Sequence, residues 1–139
     1  MAIFELSTIA KIDNWPQVYK FLVKSLKQTN ISYSNISRIL LSCEEIFVNI
    51  SRYAYNGKEG SVKIVLNINA NKNILTVKFT DSGKQFDPTK IPQPKISGPA
   101  ELRKIGGLGI YMVSKLMDNM IYNFTQGQNN LIISKKLTD

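Results

Sequence analysis

Apolar residues recur at helical spacing in two stretches of the first half of the chain. The first predicted helix begins near Trp15, directly before Pro16, where Asp13 or Asn14 can cap it. The second is the longest and extends to about Tyr55. Its apolar stripe consists of Ile36, Ile39, Leu40, Cys43, Phe47, Ile50 and Ala54. This stripe predicts a helix with one face in the core.

Short runs rich in apolar residues predict strands over residues 3–7, 62–68, 74–80, 120–125 and 131–137. Polar residues at 71–73 and 126–130 separate the last four runs into two hairpins. Helical spacing returns over 107–116, and no internal repeat or second domain is evident. The pattern therefore predicts a single domain over residues 1–139 that contains both helices and strands.

One long irregular segment interrupts this pattern. Residues 87–106 contain four prolines and no periodic run of apolar side chains. A loop of that length in so small a domain usually has a function, often as a lid over a binding site.

Composition narrows the class of protein. The chain has 139 residues, of which 43% are hydrophobic, enough for one domain with a real core. It carries 18 Lys+Arg against 10 Asp+Glu, a net charge of +8 that suits nucleic acid, an acidic protein surface or a polyphosphate. The basic residues are scattered, with no arginine-rich tail and no basic strand interleaved with aromatic residues, and this disfavours nucleic acid.

Missing residue types exclude several chemistries. The chain has no histidine, so it lacks a Ser-His-Asp triad, a common zinc set and a phosphoacceptor histidine, and a general base must be a carboxylate. The single cysteine, Cys43, excludes an internal disulfide and lies on an apolar stripe, which favours an inert core thiol over a reactive one. No apolar run approaches about 18 residues and no signal peptide is evident, so we expect a soluble cytoplasmic protein without a membrane segment.

Three short segments carry candidate chemistry: residues 45–49, 81–88 and 106–110. A carboxamide on a helix suits a hydrated magnesium ion, and an aspartate in a tight glycine turn can accept a hydrogen bond from an adenine amine. Consecutive glycines at a helix start let phosphates approach backbone N–H groups. Taken singly, these segments equally fit a solvated helix face, an ordinary Asx turn and close helix–sheet packing.

In this order and spacing, the three segments resemble those of the GHKL ATPases and, within that superfamily, the serine kinase anti-sigma factors of bacteria. The resemblance covers about residues 3 to 137. It implies a two-layer α/β (α+β) sandwich of the Bergerat type, with a mixed, mostly antiparallel sheet and helices on one face. ATP would lie between the helix layer and the lid.

The resemblance also implies roles for the residues of the first segment. Asn49 matches the asparagine that holds Mg²⁺ against the triphosphate of ATP, and Glu45 matches the general base of the anti-sigma kinases. Arg52 and Tyr53 look like the basic residue and tyrosine of sensor histidine kinases, so Arg52 is a candidate phosphate contact.

For the second segment, the resemblance implies that Asp81 accepts the adenine amine and that Gly83 lets the base approach the backbone, with Phe86 extending the motif. Adenine is then preferred over guanine. Asn129 and Asn130 stand where the family often has a threonine.

In the third segment, the phosphate-binding loop would comprise Gly106, Gly107, Leu108 and Gly109. Many relatives carry an arginine two residues before the glycine pair, where this chain has Ile105. Arg103 or Lys104, just upstream, could meet the terminal phosphate instead.

Two functional hypotheses stay open at this stage. The first is an ATP-dependent serine/threonine kinase that phosphorylates a STAS-type anti-sigma antagonist and alternately sequesters a sigma factor. A chain that stops at the ATPase domain supports it. The second is a nucleotide-binding regulatory or interaction module with little or no transfer activity. The sequence leaves a homodimer open.

Overall fold

A five-stranded sheet covered by helices forms the described part of the computed structural model, which comprises residues 1–90 and 108–138 without the side chain of Leu108. The elements in chain order are β1 (Ala2–Ile9), α1 (Trp15–Leu26), α2 (Tyr33–Tyr53), β2 (Ser61–Asn69), β3 (Ile74–Asp81), α3 (Leu108–Leu116), β4 (Asn119–Thr125) and β5 (Gln128–Lys136). Short 3₁₀ turns lie at Ile12–Asn14 and Pro88–Lys90. Most of the expected lid lies outside the described residues.

The strand order across the sheet is β1-β2-β3-β5-β4. Every pairing in this part of the chain is antiparallel, so the described sheet has no parallel pair where the sequence led us to expect a mixed one. The register places Asp81 of β3 between Val62 of β2 and Asn129 of β5. The carboxyl end of β3 therefore lies in the interior of the sheet.

One face of the sheet is covered by the helices. Along β2, the side chains of Val62, Ile64, Leu66 and Ile68 are buried, and they alternate with more exposed ones. Ile39, Cys43 and Phe47 of α2 are fully buried against this face and share its hydrophobic core. The predicted two-layer sandwich is confirmed.

The start of α2 and the capping of α1 differ from the sequence-based predictions. Helix α2 starts about one turn before residue 36, because the Ser32 hydroxyl caps it by accepting a hydrogen bond from the Asn35 N–H at 3.3 Å. Helix α1 starts at Trp15 as predicted, but its expected side-chain cap is absent. The Asn14 amide instead donates to the carbonyl of Ile9 at 2.9 Å, which ties the helix start to the end of β1.

The turn between β4 and β5 is shorter than predicted. Gln126 and Gly127 have φ values of 55° and 74°, the combination that a tight two-residue hairpin turn requires. Strand β5 consequently begins at Gln128, so Asn129 and Asn130 are strand residues rather than turn residues. No helix within residues 1–90 and 108–138 combines the length and apolarity needed to cross a membrane.

Candidate functional site

A cavity of about 550 Å³ lies between the helices and the carboxyl end of β3, and we call it the site cavity. Helix α2, the turn after β3, the start of α3 and strands β4 and β5 all contribute to it. Its lining residues are Ile46, Asn49, Ile50, Arg52, Tyr53, Ala54, Asn56, Phe79, Asp81, Lys84, Phe86, Pro88, Ile110, Tyr122, Asn129 and Leu131. Five residues predicted for nucleotide binding are in this set: Asn49, Arg52, Tyr53, Asp81 and Phe86.

Helix α2 supplies both the core and one wall of the cavity. Ile46 is 1% exposed, belongs to the hydrophobic core and also lines the cavity. It has both environments because α3 packs along α2, so that α2 is covered on a second side in addition to the sheet. Asn49 lies one turn further along and projects into the cavity wall.

Glu45 is placed beside the cavity rather than in its lining. A Cβ atom built on Gly109 would lie 2.2 Å from Glu45 Oε2, so the carboxylate rests directly against the start of α3. Gly109 is thus adjacent to the candidate base, and a side chain at this position would displace the end of Glu45. The close approach puts Glu45 beside the helix start where the sequence places the phosphate loop.

Asp81 forms the acidic end of the site cavity. It is 6% exposed, at the last position of β3. Its Oδ1 atom accepts hydrogen bonds from the Gly83 N–H at 2.9 Å and from Asn129 Nδ2 at 3.0 Å. The bond to Gly83 closes an Asx turn, so Asp81 both shapes the turn and faces the cavity.

The turn after Asp81 is fastened to the end of α2. The Lys84 N–H donates to the Ala54 carbonyl at 2.8 Å. A Cβ on Gly83 would lie only 2.2 Å from that same carbonyl oxygen, so the approach depends on glycine. Cavity walls from two distant parts of the chain are therefore held at a fixed distance.

Tyr55 ties the same region to β2. Its hydroxyl donates to the carbonyl of Ser61 and accepts from the Ser82 N–H at 2.9 Å. Burial raises the pKa of Tyr55, and the charge of Asp81 adds to this rise, which exceeds the opposite effect of the hydrogen bond from Ser82. Tyr55 therefore stays neutral and keeps donating at physiological pH.

Several lining residues were given no role in the site from the sequence, chiefly Lys84, Ile110, Tyr122 and Asn129. Lys84 adds a second cation to Arg52 in the lining, which favours an anionic ligand. The signal in the sequence that could have found Asn129 is Gly127. A two-residue turn at Gln126 and Gly127 places Asn129 on a strand, where it pairs with Asp81.

The described residues include only the last part of the predicted phosphate loop. Arg103, Lys104, Ile105, Gly106 and Gly107 lie outside the described residues. Leu108 is the first residue of α3, and Ile110 is buried and lines the cavity. The start of α3 is thus at the cavity, as the sequence predicted for the helix after the glycines.

The oxygen donors of the cavity suit a magnesium ion whose ligands are mostly water and phosphate oxygens. Among the described residues, no three His, Cys, Asp or Glu side chains cluster as a metal site. Mg²⁺ that is bound with nucleotide phosphates keeps several waters and needs only one or two protein oxygens. The Asn49 amide oxygen in the cavity wall fits that requirement.

An antiparallel sheet covered on one face by helices, with a cavity between them that has an acidic end and basic residues in its lining, defines a nucleotide-binding domain of the GHKL type. Residues 9–135 match the model of the histidine kinase-like ATPase domain family, and the chain belongs to this family. The resemblance drawn from the three segments is confirmed.

The serine-protein kinase RsbW of Listeria innocua is 28% identical over 105 residues, which cover 72% of this chain and 66% of that protein. The serine-protein kinase RsbW of Bacillus cereus strain AH187 is 28% identical over 109 residues, or 76% and 67% of the two chains. The matched region thus spans about two thirds of these relatives.

A crystal structure of the RsbU and RsbW domains of a Mycobacterium tuberculosis protein has the same fold. It superposes with a TM-score of 0.69 and 14% sequence identity, over 99% of this chain and 33% of that chain.

Proposed function

We propose that this protein is an ATP-dependent serine/threonine kinase of the anti-sigma type. It binds MgATP in the site cavity, phosphorylates a STAS-type antagonist and alternately sequesters a sigma factor. The observation that carries the proposal is that one cavity joins Asn49 of α2, Asp81 of β3 and the start of α3. The relatives named serine-protein kinase support the same reading.

In the proposed complex, the base and the phosphates of ATP lie toward different ends of the site cavity. The base lies against Phe79 and Leu131 with its 6-amino group donating to Asp81, and the phosphates run toward Asn49 and the start of α3. Arg52 and Lys84 balance phosphate charge. Asn49 would hold a magnesium ion beside the phosphates, where the metal would supply charge neutralisation for the transfer.

The transfer step has Glu45 as its base. A serine or threonine hydroxyl of the partner attacks the γ-phosphorus, and the bond from that phosphorus to the oxygen bridging to the β-phosphate breaks to release ADP. The hydroxyl proton passes to the Glu45 carboxylate. Glu45 must turn from Gly109 toward the partner's hydroxyl for this step, since it does not line the cavity in the present arrangement.

A binding and a transfer measurement test the proposal together. Calorimetry measures ATP affinity with and without Mg²⁺, and γ-labelled ATP with candidate STAS domains measures phosphoryl transfer. Asn49→Ala is expected to weaken MgATP binding more than binding of metal-free ADP, because Asn49 would hold the metal and has no such role when the metal is absent. Absence of any ATP binding by the wild-type protein would overturn the proposal.

The second candidate function is a nucleotide-binding regulatory module without appreciable transfer. The position of Glu45 against Gly109, outside the cavity lining, favours it. Tight ATP binding together with no labelled product, across several STAS candidates, would decide for this module over the kinase.

A further inference from the structure

Asn129 is one of the polar residues that the structure adds to the site. It pairs directly with Asp81 across β3 and β5, and each of the two residues is 6% exposed. Both side chains project to the helix-covered face and line the cavity. A buried carboxamide next to a buried carboxylate is stable only if its donors and acceptors are hydrogen-bonded.

The carboxamide of Asn129 uses its full capacity within the protein. Its Nδ2 donates to Asp81 Oδ1 at 3.0 Å and to the Lys84 carbonyl at 2.9 Å, with a longer contact of 3.4 Å to the Gly83 carbonyl. Its Oδ1 accepts from the Phe86 N–H at 3.1 Å and from the hydroxyl of Tyr122. A primary amide has two donor hydrogens and two acceptor sites, so none remains for a ligand.

The network also fixes which way the amide points. The Lys84 carbonyl can only accept and the Phe86 N–H can only donate, so exchanging the nitrogen and oxygen of Asn129 would break both bonds. Burial raises the pKa of Tyr122, and the charges of Asp87 and Asp81 raise it further against the effect of a hydrogen bond from Phe86. The phenol therefore keeps its proton and continues to donate.

Asp81 is left with one oxygen for a ligand. Its Oδ1 has two donors, from Gly83 and Asn129, whereas no donor within residues 1–90 and 108–138 reaches its Oδ2. The bond to Gly83 alone would leave the carboxylate to turn about its own axis. The second donor, on the facing strand, opposes that rotation.

We propose that Asn129 is the positioning residue for purine specificity: it holds Asp81 so that Oδ2 alone meets the 6-amino group of the base. The inference rests on the proposed binding of ATP in this cavity and deepens it. Asn129 acts only through Asp81 and the turn that follows, and it does not touch the nucleotide.

The test compares ATP with purine riboside triphosphate, which lacks the 6-amino group, by calorimetry. The wild-type protein should bind the analogue about 10- to 100-fold more weakly, as expected for a hydrogen bond to a charged acceptor. In Asn129→Ala this ratio should fall to about threefold or less, because Asp81 is no longer held. The matched control is Asn130→Ala, since Asn130 is equally buried but bonds to Thr80 and Asn123 on the opposite face.

Failure of the positioning role of Asn129 and failure of the adenine contact give different results in this experiment. Equal loss of affinity for both nucleotides in Asn129→Ala, with the ratio unchanged, would show a merely structural role and overturn the inference. A wild-type ratio near one would instead overturn the adenine contact of the proposed function. If Asn129→Ala does not fold, Asn129→Leu keeps a side chain of similar shape but has no donor for Asp81, and a ratio as high as that of the wild type contradicts the inference.

Discussion

At the scale of single residues, Asp81 offers the sharpest test, since the protein fixes one of its oxygens. In Asp81→Asn, the Gly83 N–H and Asn129 Nδ2 still need an acceptor, so the new amide must place its oxygen there and its NH₂ toward the cavity. A donor then faces the adenine amine, also a donor. We expect ATP affinity to fall by about 10- to 100-fold, and inosine triphosphate, whose O6 accepts, to bind more tightly than ATP.

Competition calorimetry with ATP and inosine triphosphate measures this exchange of preference. Asn130→Asp is a suitable control, because it changes one charge on the neighbouring strand residue without facing the cavity. Unchanged ATP affinity in Asp81→Asn would remove the adenine assignment.

Glu45 is tested by a substitution that keeps its shape. Glu45→Gln can lie against Gly109 as the carboxylate does but cannot take a proton. ATP affinity should stay nearly constant while phosphoryl transfer to the partner falls by about 10²–10⁴. Single-turnover transfer kinetics provide the measurement.

The adjacent Glu44→Gln is the matched control for Glu45→Gln and should transfer at the wild-type rate. Wild-type transfer by Glu45→Gln would place the base elsewhere, with Glu44 as the next candidate.

The sequence was informative for residues whose chemistry shows locally. Asp81 follows an apolar strand and precedes Ser-Gly, so its place at a turn could be predicted, and Asn49 could be placed by helical period. Asn129 could not be assigned in this way. Its role depends on the pairing of β5 with β3, a contact between residues 48 positions apart, which local spacing does not encode.

At the scale of elements, the site depends on two close approaches, each permitted by a glycine. Gly83 meets the backbone of Ala54 at the end of α2, whereas Gly109 meets the far end of the Glu45 side chain. The Ala54 backbone cannot move without shifting α2, whereas the Glu45 carboxylate can rotate away from Gly109. The two glycines therefore predict different outcomes for the same substitution.

Gly83→Ala should lower the free energy of unfolding by about 1–3 kcal/mol, the usual cost of forcing extra volume into a packed region. It should also weaken ATP binding, because the turn carrying Asp81 separates from α2. Urea unfolding and calorimetry measure the two effects.

Two controls accompany Gly83→Ala. Ser82→Ala, at the exposed neighbouring position, should stay within about 0.5 kcal/mol of the wild type. Gly109→Ala should keep its stability, since only the end of the Glu45 side chain must move. A Gly83→Ala protein as stable as Ser82→Ala would contradict the rigid contact to Ala54.

The elements themselves were largely predictable. Within residues 1–90 and 108–138, the five strands and three helices follow from periodicity, and the errors lie at their ends. The start of β5 was predicted too late because two consecutive asparagines are typical of turns, while the turn is made by Gln126 and Gly127. Because β5 was predicted to begin after Asn129, this residue was not included in the predicted site.

At the scale of the whole molecule, α2 belongs at once to the core and to the site. Phe47 and Cys43 are buried against the sheet, and Asn49 on the same helix lines the cavity. Ligand binding at the cavity and stability of the core should therefore be linked, because a nucleotide that binds only the folded state stabilises it.

Cys43 reports this linkage directly. It is the single cysteine, it is 0% exposed, and burial raises the pKa of its thiol, so a thiol reagent should reach it only after the core opens. In mild urea, MgATP at about 100 times its Kd should slow the labelling of Cys43 by about 100-fold, the factor by which ligand lowers the open population.

Asp81→Asn serves as the control for the Cys43 experiment. In that variant the same ATP concentration should protect Cys43 far less, because the affinity is lower, whereas protection by inosine triphosphate should increase. Rapid labelling of the wild-type protein in native buffer would contradict the buried position of the thiol. Labelling that saturating nucleotide leaves unchanged would show that the α2 core opens without disturbing the site, and that the two functions of α2 are not coupled.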